Sequence, residues 1–135
     1  MRKMFLTMAT LLLSTAAVAH EDHVGPNGGY TKHLGSVSVE VVAKGTQVIL
    51  HVRDETTEQP LSVNGASAKV VLLAGGKTET LQLRPAGPVL AATAKQPVGA
   101  NAKVAVTLTM PGRDKIPAAT FDLSKLLSLP SAGGH

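Results

Sequence analysis

The chain has 135 residues, of which 44% are hydrophobic, 2% aromatic and none cysteine, and it carries a formal net charge of +4. Without cysteine there can be no disulfide, thiolate metal ligand or Cys nucleophile. The basic residues are dispersed and aromatics are scarce, which speaks against a phosphate-facing patch or a base-stacking platform, and so against nucleic acid as a partner.

The first nineteen residues have the three parts of a secretory leader. Arg2 and Lys3 form a positive start, residues 4–13 an apolar run too short for a stable membrane anchor, and residues 14–19 a small-residue end. Ala17 and Ala19 fit the small-residue rule for cleavage after Ala19. The expected product is an exported chain of 116 residues (135 less 19) with no stable anchor, and the expected location is the periplasm. Losing Arg2 and Lys3 takes the 13 basic residues to 11 against 9 acidic ones, a net charge of +2.

Cleavage there would expose His20-Glu21-Asp22-His23. Residues 20–35 show no apolar periodicity, and Gly25-Pro26-Asn27-Gly28-Gly29 is dense in turn formers. This segment is expected to be an irregular arm leading into the first strand. Val37-Ser38-Val39-Glu40-Val41 alternates with period two, and Gln47 to Val52 is a second β-rich run. A turn at Lys44-Gly45 would pair Val41 with Val48, Val39 with Leu50 and Val37 with Val52 on one apolar face. His51 then falls on the other face, as a strand-surface residue.

A short strand is expected near residues 61–63. Residues 66–73 and 77–83 flank Gly75-Gly76, a turn that pairs Val70 with Leu81 and Ala68 with Leu83. Arg84-Pro85-Ala86-Gly87-Pro88 is expected to break the strand, and residues 89–93 to form another. Residues 103–110 alternate with Val104, Val106, Leu108 and Met110 inward, and Phe121 is the largest candidate core residue. The tail from residue 124 to the terminal His135 is expected to fray or form a short helix.

About seven short strands with regular turn signals predict an antiparallel β-sandwich of immunoglobulin-like size over residues 36–123, with a small barrel as the alternative. The Cys and Trp signature of true immunoglobulin domains is missing.

No nucleophile-elbow G-x-S-x-G and no H-E-x-x-H occurs, and the carboxylates are sparse, so no enzyme is expected. The chemistry concentrates at the exposed start. A His20 placed first in the chain would offer its α-amine and imidazole to one metal ion. His23 adds a third nitrogen, Glu21 and Asp22 supply charge or oxygen, and His33 lies within reach across the Gly-rich turn. A nitrogen-rich set favours Cu(II), with Zn(II) or Ni(II) as alternatives.

The His20-Glu21-Asp22-His23 start, the Gly25-Pro26-Asn27-Gly28-Gly29 run, the Val-rich strand pair, Leu73-Ala74-Gly75-Gly76-Lys77 and Leu83-Arg84-Pro85-Ala86-Gly87 resemble small periplasmic proteins associated with heavy-metal efflux systems in proteobacteria. Similar β modules occur in the adaptor subunits of such pumps. More distantly, the start resembles periplasmic copper-binding proteins of the copper-resistance type, which are small β-sandwiches; of their ligands only His20 maps here. The resemblance implies a metal-binding accessory, a buffer or carrier with an efflux-pump subunit as its partner. The alternative is an envelope protein-interaction module that uses no metal.

Overall fold

In a computed structural model of the chain, residues 21–131 are described. The expected leader, His20 and His135 lie outside the described residues. The strands are β1 (His23–Val24), β2 (Tyr30–Leu34), β3 (Val37–Lys44), β4 (Gln47–Asp54), β5 (Ser67–Ala74), β6 (Lys77–Ala86), β7 (Val89–Thr93), β8 (Lys103–Thr109) and β9 (Ala119–Asp122). They form one antiparallel sheet in the order β1-β2-β3-β4-β7-β6-β5-β8-β9. The all-β class is as expected. The seven-strand sandwich is not: among the described residues nine strands curl into a half-barrel.

The curl originates in β6. Its first part, as far as Leu83, pairs with β5, and Arg84, Pro85 and Ala86 pair with β7. One strand thus carries the hydrogen bonding from one half of the molecule to the other. Pro85, expected to end the strand, sits where β6 changes partners, a place that tolerates a residue with no N–H to give. The two remote ends of the sheet then approach one another. The Tyr30 ring on β2 meets Phe121 on β9 edge-on, with centroids 5.6 Å apart and planes at 85°. Phe121 is fully buried. The Val24 N–H donates to the Pro130 carbonyl at 2.8 Å, so the chain beyond β9 also reaches β1.

The inner face is aliphatic. Val37, Val39, Val41, Val48, Leu50 and Val52 from the β3–β4 hairpin share it, together with Val104, Val106 and Leu108 from β8. Their faces follow the period-two pattern, but the β3–β4 register differs from the expected one by two residues: Val41 opposes Leu50, Val39 opposes Val52 and Lys44 opposes Gln47. Gly45 takes φ 59° as the first residue of a Gly45-Thr46 turn, which suits a tight hairpin. A shift of two preserves every face, so the same six residues stay inside. The β5–β6 pairing is the expected one, with Val70 opposite Leu81 and Ala68 opposite Leu83. Gly75 and Gly76 both have positive φ there.

Two further expectations fail. Residues 20–35 were expected to be irregular, yet β1 and β2 arise within them. Tyr30 and Thr31 at the start of β2 are both buried, on opposite faces, and such a strand shows no alternation. Near residues 61–63 there is only an isolated bridge between Arg53 and Pro60. The tail forms a short 3-10 helix, Leu123–Ser128, capped by the Asp122 carboxylate accepting from the Ser124 N–H.

Candidate functional site

The candidate site lies on the outer face of β1 to β4. Cross-strand pairing places His23 beside Thr31, Thr31 beside Glu40 and Glu40 beside His51. His33 is two residues from Thr31 on the same face, opposite Ser38. All three described histidines therefore share one face of the sheet, but only two converge. The His23 and His33 rings lie 5.2 Å apart, centroid to centroid, tilted by 41°. His51 is separated from His23 by two intervening strands.

The Nδ1 atoms of the two converging imidazoles both face oxygen. His33 Nδ1 is 2.5 Å from Glu55 Oε1, and His23 Nδ1 is 3.3 Å from the Glu21 carbonyl. A carbonyl or carboxylate oxygen only accepts, so the hydrogen bond to it has Nδ1 as the donor in each ring. A carboxylate behind an imidazole is the arrangement that orients metal-binding histidines. Ser38 Oγ donates to the same Glu55 oxygen at 3.2 Å and lies 3.1 Å from the same Nδ1. In a hydrolytic triad the hydroxyl and the carboxylate sit at opposite nitrogens of the ring. Here one nitrogen serves both, so Ser38 is not set up as an activated nucleophile.

Asp22 takes a different part. Its Oδ2 accepts from Lys32 Nζ at 2.7 Å and from the Tyr30 hydroxyl at 2.8 Å. Burial acts to raise its carboxyl, but Lys32 and Tyr30 outweigh this and hold it below the ordinary range. The same contact acts on the phenol: burial, with Asp22 beside it, pushes Tyr30 up to about 12. Lys32 Nζ also sits 5.4 Å from the centroid of the Tyr30 ring. The Asp22 carboxylate thus fastens the start of the described chain to β2. Glu21 is exposed and meets His23 through its backbone carbonyl.

Beside the histidines stands a carboxylate that sequence reasoning missed. Glu40 is fully buried. Its Oε2 accepts from the Asn27 N–H at 2.9 Å and the Gly29 N–H at 2.7 Å; its Oε1 accepts from Asn27 Nδ2 at 3.0 Å and Arg53 Nη2 at 2.7 Å. Burial acts to raise its carboxyl, and the four donors more than offset this, leaving it lowered. The Gly-rich run is therefore a turn clamped onto β3. A Cβ added at Gly29 would stand 2.3 Å from the Val41 carbonyl oxygen, and one at Gly25 2.5 Å from both Glu40 Cδ and Thr31 Oγ1. On strand pattern alone, Glu40 occupies an outward position; the only hint of its burial is the turn-rich run ahead of it.

Of the expected ligand set, the structure brings together His23 and His33, engages Asp22 with Lys32 and Tyr30, leaves Glu21 exposed, and does not describe His20. Among the described residues no group of three or more His, Asp or Glu side chains could hold a metal ion. Also among the described residues, no helix is long and apolar enough to cross a membrane. No protein-family model, curated protein or solved structure matches the chain.

Proposed function

We propose that the protein is an exported metal-binding accessory, a periplasmic buffer or carrier for Cu(II) or a similar nitrogen-seeking divalent ion, with no reaction of its own. The observation that carries this reading is the His23–His33 pair, with ring centroids 5.2 Å apart and each Nδ1 beside an oxygen acceptor. The two imidazoles on one sheet face would supply two nitrogen donors to a four-coordinate site. His20, one residue before the described chain, supplies the rest when it is the first residue of the processed protein: an α-amine and an imidazole. The set is then all nitrogen, because Asp22 is held by Lys32 and Tyr30. Imidazole and amine donors favour Cu(II), then Zn(II) or Ni(II), over the oxygen-seeking Mg and Ca. The resemblance to efflux-associated periplasmic proteins points to the same role, with an efflux-pump subunit as recipient.

The test is a Cu(II) titration of protein whose N-terminus has been fixed as His20 by mass spectrometry. Affinity should fall about 10-fold or more in the His23→Ala and His33→Ala variants, since removing even a supporting partner of a ligand typically costs that much. Equal affinity in the wild type and the double variant would sink the proposal.

A second reading, an envelope interaction module without a metal, is favoured by one feature. Leu127 is fully exposed beside a groove of about 460 Å³ lined by Val42, Val98, Leu123 and Leu126. Leu127→Asp abolishes the cellular role under this reading and leaves it intact under the first.

A further inference from the structure

Strand β1 is only two residues long. Its register is held at one end by Asp22, whose carboxylate accepts from Lys32 and Tyr30 on β2, and at the other by the turn that follows it. The register of β1 decides which side chain stands beside His33. With His23 opposite Thr31, His23 lies on the outer face. A slip of one residue would turn it to the other face and put Asp22 or Val24 in its place. Register in a hairpin is set by the connecting turn. Here that turn is residues 25–29. Internally it is closed by Gly25 N–H to the Gly29 carbonyl at 2.8 Å and Gly28 N–H to the Gly25 carbonyl at 2.9 Å. Externally it is held to β3 by the three bonds that Asn27 and Gly29 give to Glu40.

We propose that Glu40 is the positioning residue of the metal site: its carboxylate latches the 25–29 turn onto β3 and thereby sets the β1 register that places His23 against His33. This rests on the metal reading above. Arg53, at 2.7 Å, keeps Glu40 charged and aimed at the turn. Thr31, whose buried hydroxyl has no hydrogen-bond partner among the described residues, lies beneath Gly25, so backbone packs directly on the sheet there. The coupling runs in both directions. A metal ion joining His23 to His33 stabilises the latched turn by the same free energy that the latch contributes to metal affinity.

The experiment compares wild type, Glu40→Gln, His23→Ala and the double variant, all processed to His20. In metal-free protein, NMR reads the His23–His33 ring contact and the exchange protection of the Asn27 and Gly29 amides. Cu(II) titration reads affinity. Glu40→Gln is expected to break the ring contact, to lower amide protection and to weaken Cu(II) binding as much as His23→Ala does, about 10–100-fold. The double variant should lose no more than either single one. Additive losses, or a Glu40→Gln protein that keeps the ring contact, would overturn the proposal. If wild type binds no Cu(II), the metal reading fails, and the ring contact and amide protection still decide the latch. Should Glu40→Gln not fold, Gly29→Ala serves instead. Its Cβ pushes the turn off the Val41 carbonyl without altering any charge, and the same loss of ring contact is expected; a retained contact overturns the proposal.

Discussion

Glu55 Oε1 lies 2.5 Å from His33 Nδ1, joining a residue just past the end of β4 to one on β2, 22 positions apart in sequence. Both side chains are mostly buried, at 17% and 15% exposure for His33 and Glu55. The carboxylate favours the proton on Nδ1 of His33, the nitrogen that faces it.

Replacing Glu55 by Gln keeps the shape but removes the charge behind the ring. Cu(II) affinity should then fall about 10–100-fold, the usual effect of losing such a partner. Nitrogen chemical shifts of His33 in metal-free protein should show Nδ1 protonated in wild type and a mixture of tautomers in Glu55→Gln. Unchanged tautomer and affinity would remove Glu55 from the site.

The Glu40–Arg53 pair predicts both a mutational and a pH response. Arg53→Met leaves a buried carboxylate without its ion-pair partner, which typically costs about 3–5 kcal/mol. The folded carboxyl lies below its ordinary value of 4.5. A lowered carboxyl stabilises the fold fully above that value, and the stabilisation is lost as pH falls through the folded value. Urea midpoints measured from about pH 6 down to about pH 3 should therefore drop less steeply in Glu40→Gln than in wild type.

Glycine substitutions in the turn should separate steric from conformational cost. Gly28 has φ 79° and open space around it, so Gly28→Ala should cost about 1–2 kcal/mol, the price of a left-handed residue with a side chain. Gly29→Ala meets the Val41 carbonyl oxygen at 2.3 Å. Gly29 bears no left-handed φ, but a clash that close with backbone cannot be relieved by a side-chain rotation and should cost toward the upper end of the roughly 1–3 kcal/mol of overpacking, so its melting temperature should be the lower of the two.

Tyr30 should titrate at about 12 when phenolate absorbance is followed in the folded protein. Because the folded value is raised, its contribution to stability is complete below the ordinary value of 10.0 and is lost as pH rises through the folded value. Asp22→Asn removes the charge beside the hydroxyl and should move the phenol back toward its ordinary value, although burial, the larger cause, keeps it raised.

Phe121→Ala should be the most damaging of these changes to the curl itself. It removes the largest fully buried side chain among the described residues and the edge-on partner of Tyr30, at a typical cost of about 3–5 kcal/mol. Calorimetric unfolding alongside Leu127→Ala, which truncates a fully exposed residue and should change little, provides the comparison.

The chain's local pattern already contained the β class, the inward residues of β3, β4, β5 and β8, and the Gly75-Gly76 register. Each follows from period-two alternation or from the backbone freedom of glycine, and both are properties of adjacent residues. His23 and His33 could be named as candidates because imidazole is a good ligand wherever it occurs. What the alternation of Val37 to Val41 could not reveal is that Glu40 points outward and is still buried, because the turn that covers it comes from residues 25–29 and is paired to it only in the folded sheet. Glu55 was invisible for the same reason, since its partner is on another strand. The number of strands and the half-barrel also belong to tertiary structure. They depend on β6 changing partners at Pro85 and on Tyr30 meeting Phe121, contacts between remote segments that the hydrophobic pattern of either segment does not encode.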